Sequence, residues 1–269
     1  MGNFVHAEQQ GAVVRLTLDR PDSRNAIADI AACDDLVEAI DAIQADPQVR
    51  CVVLTGAGAS FCAGGDLKTL RSRRPENIGA QASPADTRGN YRRGVQRAVR
   101  ALWEVEVPMI AAVNGHAIGL GCDLACLCDL RLASDAAVFA SSFVSVGLIP
   151  GDGGAWLLPR AIGYARAAQL LYTGDRIDAN TALQWGLVSE VVAADDLLAR
   201  AHGLAERIAS QPPQALRMAK RLLREGQQQS LGGILELSAA FQALAHETED
   251  HAEAVDAFTT RRQPKFTGR

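Results

Sequence analysis

A chain of 269 residues, 48% hydrophobic and 22% charged, has enough apolar material for one large domain with an appendage and an ordinary globular composition. Lys plus Arg number 27 against 31 Asp plus Glu, and this net charge of −4 counts against a nucleic-acid partner. No apolar run reaches membrane-spanning length and no basic segment leads into a hydrophobic one at the N-terminus, so a cytoplasmic protein with no membrane partner is expected.

In chain order, Val13, Leu16 and Leu18 fit a strand closed by Asp19-Arg20-Pro21, and Ile30, Cys33, Leu36, Ile40 and Ile43 recur at helical spacing. Val49 to Thr55 is a β-branched run stopping at Gly56-Ala57-Gly58. The pattern returns with the helical stripe Val95, Val99, Leu102 and Trp103, the strand Pro108 to Asn114 and a further strand over Leu130 to Ala133. Continuous apolar strands between helices indicate sheets covered by helices, an α/β core. Residues 71 to 93 carry Pro75, Gly79, Pro84 and Gly89 with little periodicity, and read as a flexible surface insertion, either a lid or a plain loop. After residue 192 no strand pattern remains. Leu197, Ala201, Leu204, Ala205 and Ile208 share one helical face, Pro212-Pro213 interrupts it, and two more stripes start at Ala215 and Leu231. The expected division is an α/β core over 1–195 and a helical region over 196–269.

The six cysteines sit mostly in apolar runs, as reduced core thiols do. Cys122, Cys126 and Cys128 lack a second ligand pair at zinc spacing, so no metal site is expected.

Two glycine turns carry the chemistry. Ser60-Phe-Cys-Ala-Gly-Gly-Asp66 ends a short apolar segment and leads into a helix. Asn114-Gly-His-Ala-Ile-Gly-Leu-Gly-Cys-Asp123 ends a strand, with Gly119 and Gly121 flanking Leu120 at a helix start. The expectation is that the Ala63 and Leu120 N–H groups hold one carbonyl oxygen and stabilise charge developing on it; each turn alone is equally a structural turn. Asp123, in the first helical turn, is either a partly desolvated general base or an ordinary helix N-terminal charge. Asp152, in Gly147-Leu-Ile-Pro-Gly-Asp-Gly-Gly154, is either a site carboxylate on a close-approach loop or an Asx-turn residue. His116, Asp129, Arg131 and Asp135 read as structural.

These motifs, with Arg20-Pro-Asp-Ser-Arg-Asn-Ala26, Pro108-Met-Ile-Ala-Ala-Val-Asn-Gly115, Leu171-Tyr-Thr-Gly174 and Arg262-Gln-Pro-Lys-Phe266, resemble the crotonase family of enoyl-CoA hydratases and isomerases across nearly the whole chain. The resemblance implies a crotonase-like spiral of β-β-α units, a helical C-terminal oligomerisation region, and a homotrimer or dimer of trimers. It implies Ala63 and Leu120 as oxyanion-hole donors and an acyl-CoA thioester across Arg24, Ala26, Ala63, Asp66 and Leu67. Lys265 and Phe266 would meet the CoA of a neighbouring subunit. No tightly bound cofactor is implied, coenzyme A being part of the substrate.

The departures narrow the chemistry. Typical hydratases of the family use two glutamates; the first falls on Asp123 and the second on Phe143, which carries no proton and would only line the substrate. Asp152, nine residues beyond Phe143, lies in a loop that supplies an acid/base carboxylate in related isomerases and hydrolases. The expected function is a hydratase or isomerase that stabilises a thioester enolate, with Asp123 and Asp152 sharing the proton transfers. The alternatives are a C–C hydrolase of a cyclic β-diketone, and a catalytically inactive acyl-CoA- or RNA-binding relative.

Overall fold

The structure, a computed structural model, describes residues 4–269. Strands β1 (Val5–Gln10) and β2 (Val13–Leu18) form an antiparallel hairpin. Helix α1 (Ile30–Ala45) comes next, its N-terminus capped by the Asp29 carboxylate, which accepts from Ala32 N–H at 2.8 Å. Leu36, Ile40 and Ile43 on its inner face are buried, as the sequence spacing required.

The chain then repeats one unit. Strand β3 (Cys51–Gly56) leads to β4 (Ser60–Cys62) and the short helix α2 (Leu67–Leu70); α3 (Pro84–Arg93) and α4 (Val95–Glu104) come after it. Strand β5 (Met109–Val113) leads to β6 (His116–Ile118) and α5 (Leu120–Leu127). Strand β7 (Leu130–Ser134) leads to β8 (Val138–Ala140), then to α6 (Gly154–Ile162) and α7 (Tyr164–Thr173). The first strand of each unit joins one sheet and the second joins another, giving the β-β-α spiral. With β9 (Arg176–Asp178), α8 (Ala179–Trp185) and β10 (Glu190–Val192), the sheets run β1-β2-β3-β5-β7-β10 and β4-β6-β8-β9. Apart from β1–β2 and β8–β9, all pairings are parallel.

Residues 71–93, read from sequence as a flexible insertion, are not structureless. The Ser83 hydroxyl accepts from Asp86 N–H at 3.1 Å and starts α3, while Ile78, Gln81 and Asn90 are buried. Proline and glycine hid a helix whose signal was its cap: serine with proline at the first helical position.

Helix α9 (Leu197–Ala209) lays Leu197, Ala201, Ala205 and Ala209 on the larger sheet, against Val13, Cys51, Val53, Ile110 and Leu132. Helices α10 (Pro213–Glu225), α11 (Leu231–His246) and α12 (Glu249–Thr260) complete the fold. α10 is tied to the core by Lys220, whose ammonium lies 2.7 Å from Asp129 and donates to the Val107 carbonyl at 2.6 Å. Asp129 also accepts from Met109 N–H at 2.8 Å, and Arg131 donates to the Leu187 carbonyl at 2.6 Å. Leu223, Leu231, Leu235, Leu244 and Phe258 leave a broad apolar face on these last helices exposed.

Candidate active site

Three strand ends of the smaller sheet meet at one place. β4, β6 and β8 are parallel neighbours, so the chain leaves all three strands at the same edge of the sheet. Cys62 pairs with Ala117 and Ile118 with Ala140, and Gly119 N–H donates to the Ala140 carbonyl at 2.8 Å. The turn after β4, the start of α5 and the segment bearing Phe143 are therefore neighbours because of topology. The approach is close enough to require glycine: a Cβ at Gly121 would lie 2.0 Å from the Cys62 carbonyl oxygen.

The donors differ from expectation in one respect. Leu120 is the first residue of α5, and among the described residues its N–H has no hydrogen-bond partner. Ala63 N–H, in contrast, donates to the Arg24 carbonyl at 2.9 Å, so the backbone of the preceding loop already occupies it. Gly64 N–H is directed to the Cys62 sulfur at 3.4 Å. The next amide, Gly65 N–H, is without a partner among the described residues. Ala63 is thus a strut of the turn, and the free donor lies two residues on. Sequence inspection expected Ala63 N–H to be free; the Arg24 carbonyl that occupies it is 39 positions away in the chain. Gly64 brings the two motifs into contact: a Cβ there would be 3.3 Å from Leu120 N.

Asp123 lies under this site rather than in its mouth. All eight residues of α5 are buried, Asp123 completely so, and neither carboxylate oxygen has a hydrogen-bond partner of good geometry. Burial pushes its carboxyl well above the usual carboxylate range; the negative charges of Asp152 and Cys126 push the same way, and the Gly154 N–H opposes them. Helix α6 begins directly over it. A Cβ at Gly154 would lie 2.4 Å from one carboxylate oxygen, so only glycine lets the helix start pass over Asp123.

Asp152 occupies the loop just before α6, with 6% of its surface exposed. Burial pushes its carboxyl up to about 7, where proton uptake and release are both available near neutrality. Its loop is held from the other side: the Gln96 side-chain amide donates to the Gly151 carbonyl at 2.9 Å, and a Cβ at Gly151 would sit 3.4 Å from the Tyr91 ring. Burial and then the Asp152 charge raise the Tyr91 phenol. Tyr91 and Gln96 were not singled out from sequence; Tyr91 belongs to the segment read as a loop. Phe143 is half-buried with its ring 3.5 Å from where a Gly119 Cβ would be, so the residue at this edge of the hole is aromatic.

Around the turn, Arg24 is exposed with a left-handed backbone (φ 56°), Ala26 is buried and Leu67 is 57% exposed. The Asp66 carboxylate accepts from Lys68 N–H at 2.7 Å and caps α2. Lys265 and Phe266 lie elsewhere in the same protomer. Arg50, just before β3, donates to the Phe266 carbonyl at 2.8 Å, and Lys265 N–H donates to Glu253 at 2.7 Å. Since β3 runs from Arg50 toward the glycine turn, these two residues are at the opposite end of the strand. All six cysteines are buried and unpaired with one another, and among the described residues no cluster of three or more metal-ligating side chains occurs. No helix among them is long and apolar enough to cross a membrane.

The family model for enoyl-CoA hydratase/isomerase matches residues 8–269. The chain is 36% identical over 269 residues to 1,2-epoxyphenylacetyl-CoA isomerase of Escherichia coli (strain K12), covering 100% of both. It is also 36% identical to the crotonyl-CoA hydratase of Syntrophomonas wolfei, covering 96% of both. Among solved structures, the enoyl-CoA hydratase of Bacillus anthracis superposes with a TM-score of 0.92 at 32% identity, over 99% of this chain and 100% of that one. An isomerase and a hydratase both match at 36% identity, so the reaction has to be argued from the site.

Proposed function

The chain belongs to the enoyl-CoA hydratase/isomerase family, the crotonases, and from that premise we propose that it moves the carbon–carbon double bond of an enoyl-CoA thioester. The thioester oxygen is held by Gly65 N–H and Leu120 N–H, the latter at a helix start where the partial positive charge favours an anion. The Asp152 carboxylate removes a proton from C2 of a 3-enoyl thioester. The electron pair of the broken C–H bond delocalises into the thioester as a dienolate, with its charge on the held oxygen. Asp152 then returns the proton to C4, and the double bond ends between C2 and C3. One base completes the cycle with no net loss of protons or electrons. Asp123, whose carboxyl burial raises well above the usual range, supports the site from beneath.

The observation that carries this reading is the contrast between Asp152, 6% exposed on the loop before α6 and poised near neutrality, and Asp123, completely buried beneath that helix. Addition of water by the two-carboxylate route requires a second carboxylate facing the substrate, and Phe143 holds that place. The coenzyme A portion is read as lying over Arg24, Ala26, the Ala63 backbone, Asp66 and Leu67. Lys265 and Phe266 would reach it from a neighbouring subunit, since their own protomer holds them at the far end of β3. The exposed apolar face of α10–α12 supports that assembly, a homotrimer or a dimer of trimers.

Asp152→Asn tests the assignment. Double-bond migration in a 3-enoyl-CoA should fall by ~10²–10⁴-fold while acyl-CoA binding, measured by calorimetry, persists. Full activity in the variant would overturn the role of Asp152.

A further inference from the structure

Beside the Asp152 loop lies an open pocket of about 820 Å³, lined by residues of the segment 80–84, of helices α3 and α4, and by Leu148, Ile149 and Gly151. Gly151 lies in its wall, so the cavity begins one residue from Asp152, and Tyr91 and Gln96 border both. We propose that this chamber receives an acyl group that ends in a carboxylate, so that the enzyme's substrate is a thioester of a dicarboxylic acid. The inference rests on the acyl-CoA reaction proposed for this site and adds the chemistry of the acyl end.

Charge is the first argument. Arg73, Arg88, Arg92 and Arg100 line the cavity, and none of its lining residues is acidic, although the protein as a whole carries −4. None of the four is in an ion pair with a carboxylate among the described residues, whereas Arg97 on the same helix as Arg100 is paired with Asp34. Arg88 and Arg92 stand four residues apart on α3, a spacing at which like charges repel and an anion between them relieves the repulsion.

Geometry is the second. Gln96 bonds the Gly151 carbonyl, and Arg100 lies four residues after it on α4, about 6 Å along the axis. The Arg100 backbone therefore lies about one helical turn from the residue that holds the Asp152 loop, within the span of a short acyl chain. Leu148 and Ile149, the latter 77% exposed, give the methylenes an apolar wall. The planar donor fork of arginine matches a carboxylate at the end of such a chain.

The test compares two 3-enoyl-CoA thioesters of equal chain length, one ending in a methyl group and one in a carboxylate. The wild-type kcat/KM should favour the carboxylate by about tenfold or more, and rising salt should shrink the preference. In Arg92→Ala/Arg100→Ala, changed at exposed positions, the ratio of the two kcat/KM values should fall about tenfold, with part restored by lysine at both sites. Equal kcat/KM values in the wild type would overturn the proposal. So would a double variant that loses activity on both thioesters alike and is inhibited less by free CoA, since the arginines would then serve the CoA phosphates. A protein that turns over neither thioester would overturn the acyl-CoA reaction itself. In that case, calorimetry with the two thioesters still reads the chamber, and equal affinities would overturn it.

Discussion

The two halves of the site are built on different principles. Around Cys62–Gly65 and Gly119–Gly121 the functional groups are backbone amides, fixed by parallel pairing of β4 and β6 and by glycines that admit no Cβ. Around Phe143–Gly154 the functional groups are side chains on a loop, and the outcome depends on which carboxyl faces the cleft. In the proposed reaction the first half stabilises negative charge on the thioester oxygen. The second decides where the proton goes. A family can therefore keep the first and change the second, and so change its reaction without changing its fold.

The sharpest way to break the comparison is to change its two halves separately. Asp152→Asn should remove ~10²–10⁴-fold of kcat with binding retained, because only proton transfer is lost. Gly121→Val should cost somewhat less, ~10²–10³-fold, by forcing the Cys62 carbonyl and Leu120 N–H apart. A circular-dichroism melt separates a displaced donor from a lost fold. If Gly121→Val is folded and fully active, the backbone half of the account fails.

The stability effects are smaller and run with pH. The folded state holds the Asp152 proton up to about pH 7 against an ordinary value of 3.8, so burial destabilises the fold progressively as pH rises between those values. At ~1.4 kcal/mol per pH unit, the cost above pH 7 is of order 4 kcal/mol. Asp152→Asn should therefore resist urea better than the wild type at pH 8, with the gain disappearing below pH 4. A gain independent of pH would contradict the assignment. Asp123→Asn should have the least effect on turnover, under ~10-fold at pH 7, because the carboxyl it replaces is completely buried beneath α6. A loss equal to that of Asp152→Asn would make the two carboxyls partners and erase the distinction between them.

Sequence reading reached the first half more readily than the second. Alternation and glycine placement marked β3, β5, β7, both turns and the start of α5, because strand periodicity and close backbone approach leave direct traces in residue type. The amide that faces the cleft was not legible: Ala63 and Gly65 differ only in whether the Arg24 carbonyl reaches them, a contact made by the fold. The same holds for the carboxyls. Asp123 and Asp152 each come after glycines, and only the course of α6 over Gly154 buries Asp123 completely while Asp152 keeps 6% of its surface exposed. Within residues 71–93, helix α3 was missed because Pro84 stands at its first position and Gly89 inside it, where local composition resembles a loop.

The most direct measurement tracks a label. A 3-enoyl-CoA deuterated at C2 is converted in ordinary water under single-turnover conditions, and the product is analysed by mass spectrometry and NMR. If Asp152 carries the proton from C2 to C4, part of the deuterium appears at C4 of the 2-enoyl product, and the transfer vanishes in Asp152→Asn. A 3-hydroxyacyl product as the main species, or deuterium transfer undiminished in Asp152→Asn, would contradict the account.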